Sequence, residues 1–177
     1  NAPAVTDLLG SDFSKAITRG QFAALSVRFY EEFMSGYNDE TVTIPVATGD
    51  DVFADSVGNE AMAKAYNLGI LGGYNSAPTR AGVSVGPNDM ITRQQAATML
   101  ARLMSVIDEK TGRDIYQYTD YNTALPFVDS VADWALDGVK TVYYWGVMNG
   151  TSGTTFSGQS NYTIEQSIVT LMRIDDW

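Results

Sequence analysis

Two arginines stand directly behind a threonine in one short phrase, written Ile17-Thr18-Arg19-Gly20-Gln21 and again Ile91-Thr92-Arg93-Gln94-Gln95. A planar guanidinium suits a carboxylate or a phosphate, and a helix start offers backbone N–H groups beside it. The pairing therefore predicts an anion pocket. The competing reading is an ion pair between each arginine and a nearby acid. Helix stability does not explain these arginines, because a cation in the first turn opposes the helix dipole at a cost of about 0.3–1 kcal/mol. The phrase returns as Tyr162-Thr163-Ile164-Glu165-Gln166, where isoleucine takes the place of arginine and cannot hold an anion. At most two of the three phrase sites are competent.

Other chemistry is restricted by composition. The 177 residues contain no cysteine and no histidine. Disulfides, thiolate metal sites, a Ser-His-Asp triad and a His-based zinc site are thereby excluded, and no metal or cofactor is expected. A net charge of −10 with no Lys/Arg cluster repels nucleic acid and anionic lipid. Asp129, Asp133 and Asp137 are spaced four apart and read as a solvated helix face, since no calcium loop accompanies them. No motif marks a glycosidase acid pair. Tyr74, Trp134, Tyr143, Tyr144 and Trp145 could stack on sugar rings. Helical spacing favours a core role for Trp134 and Tyr143, while Tyr74, beside Gly72-Gly73, is the better exposed contact. A second arginine recurs ten positions after each threonine, at Arg28, Arg102 and Arg173. It lies on the opposite helix face from the phrase position, which suggests a structural contact at a helix end or between units.

The elements that position these residues follow from the same phrase. Threonines at 18, 92 and 163 are spaced 74 and then 71 residues apart, so the chain is an internal repeat. Thr with Gln three residues later is a capping box, and helical periodicity follows each one. Three equivalent helices of about a dozen residues or slightly more are predicted. A second phrase keeps the period: Phe53-Ala54-Asp55-Ser56 and Phe127-Val128-Asp129-Ser130. Each precedes a further helix, Asn59 to Leu68 and Ala132 to Trp145, stopped by Gly69 and Gly146. Matching turns follow, Gly69-Ile70-Leu71-Gly72-Gly73 and Gly146-Val147-Met148-Asn149-Gly150. Polar connectors are expected over 36–52 and 105–125, with a possible short strand at Thr41-Val42-Thr43-Ile44. No run approaches the length of a membrane span.

Taken in order, the phrase Phe-x-Asp-Ser, a helix, Gly-(Ile/Val)-x-x-Gly, a loop with Pro87-Asn88-Asp89, and Ile-Thr-Arg-x-Gln with its helix resemble the S-layer homology (SLH) domain. The resemblance spans almost the whole chain, as the C-terminal half of one unit (1–36) and two full units (51–104 and 125–177). It implies a mainly α fold, a pseudo-threefold helical spindle of tandem helix–loop–helix repeats with grooves between adjacent units. It also implies a non-catalytic module that binds an anionic, often pyruvylated, secondary cell-wall polysaccharide and holds a secreted protein at a Gram-positive-type cell surface. The ligand-binding set expected on this basis is Arg19 and Arg93, with Thr18, Thr92, Gly72, Gly73, Tyr74, Trp134, Asn149 and Gly150.

The alternative is an SLH-like protein-interaction module that assembles a larger surface complex without glycan binding. Residues 1–15 show weak periodicity, and the first unit has no Phe-x-Asp-Ser helix. The chain is accordingly expected to be a processed or trimmed product. Its first unit would be completed by a retained upstream segment, a partner chain or a swapped copy.

Overall fold

The computed structural model of the protein describes residues 12–114 and 118–176. Most of the weakly periodic segment 1–15 lies outside the described residues. The fold is mainly α, as expected. The described elements are α1 (Arg19–Asn38), a hairpin of β1 (Val52–Phe53) and β2 (Ser56–Val57), α2 (Glu60–Asn67), a 3-10 turn (Arg80–Gly82), α3 (Arg93–Thr111), α4 (Asp133–Tyr144) and α5 (Ile164–Asp175).

All three capping boxes form. Thr18, Thr92 and Thr163 accept from the backbone N–H of Gln21, Gln95 and Gln166, whose side chains accept in return from the N-cap backbone. The short helices start and stop near their predicted ends, with Gly69 and Gly146 in the left-handed conformation just beyond them. The long helices run further than expected. At 20 and 19 residues, α1 and α3 take in the start of both predicted connectors. They end only where Asp39 and Gly112 turn left-handed, because no earlier residue breaks the helix. Residues 41–44 form no strand. The N–H groups of Val42 and Ile44 donate instead to Ser35 Oγ (2.9 Å) and Glu31 Oε1 (2.9 Å) on α1, which leaves them nothing to offer a strand partner.

The three capped helices are tied into a closed ring. The Ile17 N–H donates to the Tyr162 carbonyl (2.9 Å), Tyr162 N–H to Ile91 (2.9 Å), and Ile91 N–H back to Ile17 (3.2 Å). These three residues precede the three cap threonines, and all are fully buried. The first helical N–H of each helix continues the pattern, with Arg19 donating to Asp89, Arg93 to Ser160 and Ile164 to Lys15. Each helix start is thus held by the segment leading into the next capped helix around the ring, which makes the arrangement pseudo-threefold.

The second phrase has a structural purpose. Both oxygens of Asp55 accept backbone N–H groups, from Val85 (2.8 Å) and Gly86 (2.9 Å). Asp129 does the same for Phe156 and Ser157, both at 2.7 Å. Each aspartate fastens its hairpin or turn to the loop before the next capped helix. Asp129 precedes α4 and is engaged in this way, so it is not part of a solvated helix face; Asp133 and Asp137 are exposed on α4.

α2 packs on α1, and α4 packs on α3. The α3–α4 approach is close because Gly138 lies against Thr98, where a β-carbon would stand 2.9 Å from the Thr98 Cα. Tyr143 is half-buried, packs edge-on to Phe127 (5.2 Å) and lines a surface cavity with Tyr144 and Asn149, so it lies at the edge of the core.

Candidate functional site

The phrase arginines lie at the N-termini of α1 and α3 and are buried, with Arg19 6% and Arg93 5% exposed. Neither makes an ion pair with an acid among the described residues. Each guanidinium instead donates to two backbone carbonyls of a neighbouring loop. Arg19 Nε bonds Val85 O (2.8 Å) and its Nη2 bonds Gly72 O (2.5 Å). Arg93 repeats this with Phe156 O (2.9 Å) and Asn149 O (2.7 Å). Aromatic faces complete the lining, with the Tyr74 ring 4.9 Å from the Arg19 guanidinium and Phe156 5.1 Å from that of Arg93. Burial pushes the pKa of both arginines below its ordinary value, although neighbouring Tyr74 and Tyr162 act the other way. A guanidinium remains charged in such surroundings. The hydrogen bonds of these buried cations go to carbonyl dipoles, while Asp89 and Asp55 act on Arg19, and Asp129 on Arg93, through space alone.

The helix starts do not supply free N–H groups. In α1 the first two donate to Asp89 O and Pro87 O, and the third to the Thr18 hydroxyl; in α3 they donate to Ser160 O, Gly158 O and the Thr92 hydroxyl. The predicted partnership of arginine with open helix-end donors is corrected on this point. The ring consumes those donors, and any anion must be met by side chains.

Two cavities adjoin the arginines. The first, about 420 Å³, is lined by Arg19, Gly72, Gly73 and Tyr74, by Thr98 and Arg102 of α3, and by Trp134 of α4. Here the structure brings together five of the predicted site residues. Trp134 is 59% exposed, so the core reading of this side chain is overturned: its helix turns it to the cavity mouth. The second cavity, about 320 Å³, is lined by Arg93, Asn149, Gly150 and Thr151 with Glu165, Val169 and Arg173 of α5. Gly150 is confined there, since a β-carbon would stand 2.6 Å from the Ser152 carbonyl. Thr18 and Thr92 line neither cavity and serve as helix caps. Ile164 is buried and lines neither.

Arg102 and Arg173 were not anticipated at these sites. Each does lie on the far face of its own helix from the phrase position. Each cavity, however, lies between two capped helices, so the second arginine of one helix comes round to the first arginine of the other. The signal was present in the sequence as the recurrence of Arg ten residues after each cap, and it needed the ring to be read. The two then differ. Arg173 Nη1 donates to Val147 O (3.1 Å), a contact between elements of the kind expected. Arg102 is exposed and has no hydrogen-bond or ion-pair partner among the described residues. Arg28 pairs with Glu32 one turn along α1.

Among the described residues there is no cluster of acids able to hold a metal, and no helix long and apolar enough to cross a membrane. Residues 128–163 match the S-layer homology domain model. The chain is also similar to an amylopullulanase of Thermoanaerobacterium thermosulfurigenes, 28% identical over 153 residues that cover 85% of this chain. The chain spans about 7% of the length of that curated relative. S-layer homology domains are in general non-catalytic modules of cell-surface anchoring, and the matches support the presence of one such domain in this chain, at residues 128–163.

Proposed function

We propose that the chain is a non-catalytic anchoring module that binds an anionic secondary cell-wall polysaccharide through grooves between adjacent repeat units, and so holds a longer secreted protein at the cell surface. The three units are taken as residues 1–36, 51–104 and 125–177. The observation that carries this reading is the first cavity. Two arginines and two half-exposed aromatic rings converge there, with no carboxylate in the lining. Aromatic faces suit the apolar faces of sugar rings, and guanidinium suits an acidic substituent such as a pyruvate ketal. The small share of the amylopullulanase that this chain matches is what an appended module would occupy.

The test is sedimentation with purified cell-wall sacculi. The wild-type chain is expected to pellet with them, and Tyr74→Ala combined with Trp134→Ala to reduce pelleting about tenfold or more. Both rings are more than half exposed, so the double variant keeps its fold. Equal pelleting of variant and wild type removes this groove from wall binding.

A second reading, assembly with protein, has its own observation. An apolar groove of about 470 Å³ lies open between α1 and α5, lined by Leu25, Phe29, Phe33, Ile168, Leu171 and Met172. Met172 is 63% exposed, whereas Ala101, which matches it around the ring, is buried. A partner chain or a second copy of this chain would pack against this face. Pull-down of a protein partner in place of sacculi would favour this reading over wall anchoring.

A further inference from the structure

The two arginine cavities carry the same ancestry in sequence and different chemistry in space. In the first, Arg19 is fixed by Val85 and Gly72 through Nε and Nη2. Arg102 reaches the same turn from α3, since a β-carbon on Gly72 would stand 3.3 Å from Arg102 Nη1. Arg102 is exposed and without a bonded partner among the described residues, so its donors are available to a ligand. The nearest acids are otherwise engaged: Asp55 accepts from Val85 and Gly86, and Asp89 interacts with the Tyr74 hydroxyl. Neither lines the cavity. Trp134, from α4, closes one side.

In the second cavity three of these features are reversed. Arg173 already donates to Val147 O. Among the described residues no helix stands beside α5 as α4 stands beside α3, and Glu165 and Val169 line that side of the cavity. Glu165 is exposed and lies at the second helical position of α5. The corresponding residue of α3 is Gln94, a neutral side chain whose Oε1 accepts the Ala132 N–H at the start of α4. Glu165 and a carboxylated ligand would share a cavity of about 320 Å³, closer together than the Debye length of about 8–10 Å, so their repulsion is not screened away.

We infer that the grooves have divided their work. The Arg19 groove takes the carboxylated sugar, with Arg102 as the cation that contacts it, and Glu165 bars the Arg93 groove to the same ligand. This rests on the wall-glycan reading above and goes further by assigning one carboxylate site, its second cation and its excluded counterpart.

The experiment is a ¹H–¹⁵N NMR titration with trigalacturonate, and with maltotriose as the neutral counterpart. Wild type should show one set of saturating shifts, at Gly72, Gly73, Tyr74 and the Trp134 indole, with Asn149 to Thr151 unmoved. Arg102→Leu should weaken this binding at least about tenfold, the loss expected for a charged hydrogen-bonded contact. Arg102→Lys should recover part of it. Glu165→Gln should add a second, weaker set of shifts at Asn149, Gly150 and Thr151. Both positions are exposed, and retained spectral dispersion verifies the fold of each variant.

Two saturating sites in wild type would overturn the inference. So would unchanged affinity in Arg102→Leu, equal binding of maltotriose, or a single site in Glu165→Gln. A chain that pellets with sacculi but ignores trigalacturonate would overturn the inference while leaving the anchoring function in place. Failure in both assays would remove both.

Discussion

At the scale of single residues, the recurring feature is a charged side chain spent on backbone groups. Arg19 and Arg93 each satisfy two loop carbonyls, and Asp55 and Asp129 each satisfy two loop N–H groups. Burial alone would raise the Asp129 carboxyl, but the N–H groups of Phe156 and Ser157 outweigh it and hold the group below its ordinary value of 3.8. A carboxyl depressed in the folded state stabilises fully above its unfolded value, and that contribution is lost as pH falls through the folded one. Asp129→Asn is therefore expected to be less stable than wild type at pH 7 by about 1–3 kcal/mol. The gap should narrow below about pH 3.8, as read from urea midpoints between pH 7 and 2. The phrase arginines were legible as unusual because the helix dipole disfavours them. Their partners were not, since Gly72 and Val85 lie 53 and 66 residues from Arg19 in sequence and backbone carbonyls leave no trace in a residue pattern.

At the scale of elements, local chemistry was read well and long-range coverage was not. Three capping boxes and two glycine stops could be placed from the sequence because each needs only residues within one turn of the helix. The extra length of α1 and α3 was missed because polar residues such as Glu31 and Glu109 obscure the periodicity there while still favouring helix. Trp134 was misassigned for a related reason. Helical spacing defines a face, but the partner of that face depends on the fold. The α3–α4 contact offers a direct check. Gly138→Ala would drive a β-carbon to 2.9 Å from the Thr98 Cα, and backbone cannot yield as a flexible side chain does. A loss of about 1–3 kcal/mol in chemical denaturation is expected, despite the higher helix propensity of alanine. A stabilised variant would mean that the two helices can separate freely.

At the scale of the whole molecule, the three hydrogen bonds joining Ile17, Ile91 and Tyr162 close on themselves, so no capped helix start is secured by its own unit alone. Unfolding should then be one transition, with tryptophan fluorescence and far-UV circular dichroism giving coincident denaturant curves. Two separated transitions would show that the ring opens without loss of the rest. The same closure separates what can be recognised from what can exist independently. Residues 128–163, the stretch that bears the family likeness, stop at the cap of α5 and leave out α3, on which α4 rests. Excised, that stretch would keep its likeness and lose both α3 and the ring bonds to Ile17 and Ile91, so what can be recognised in this chain is shorter than what holds it together.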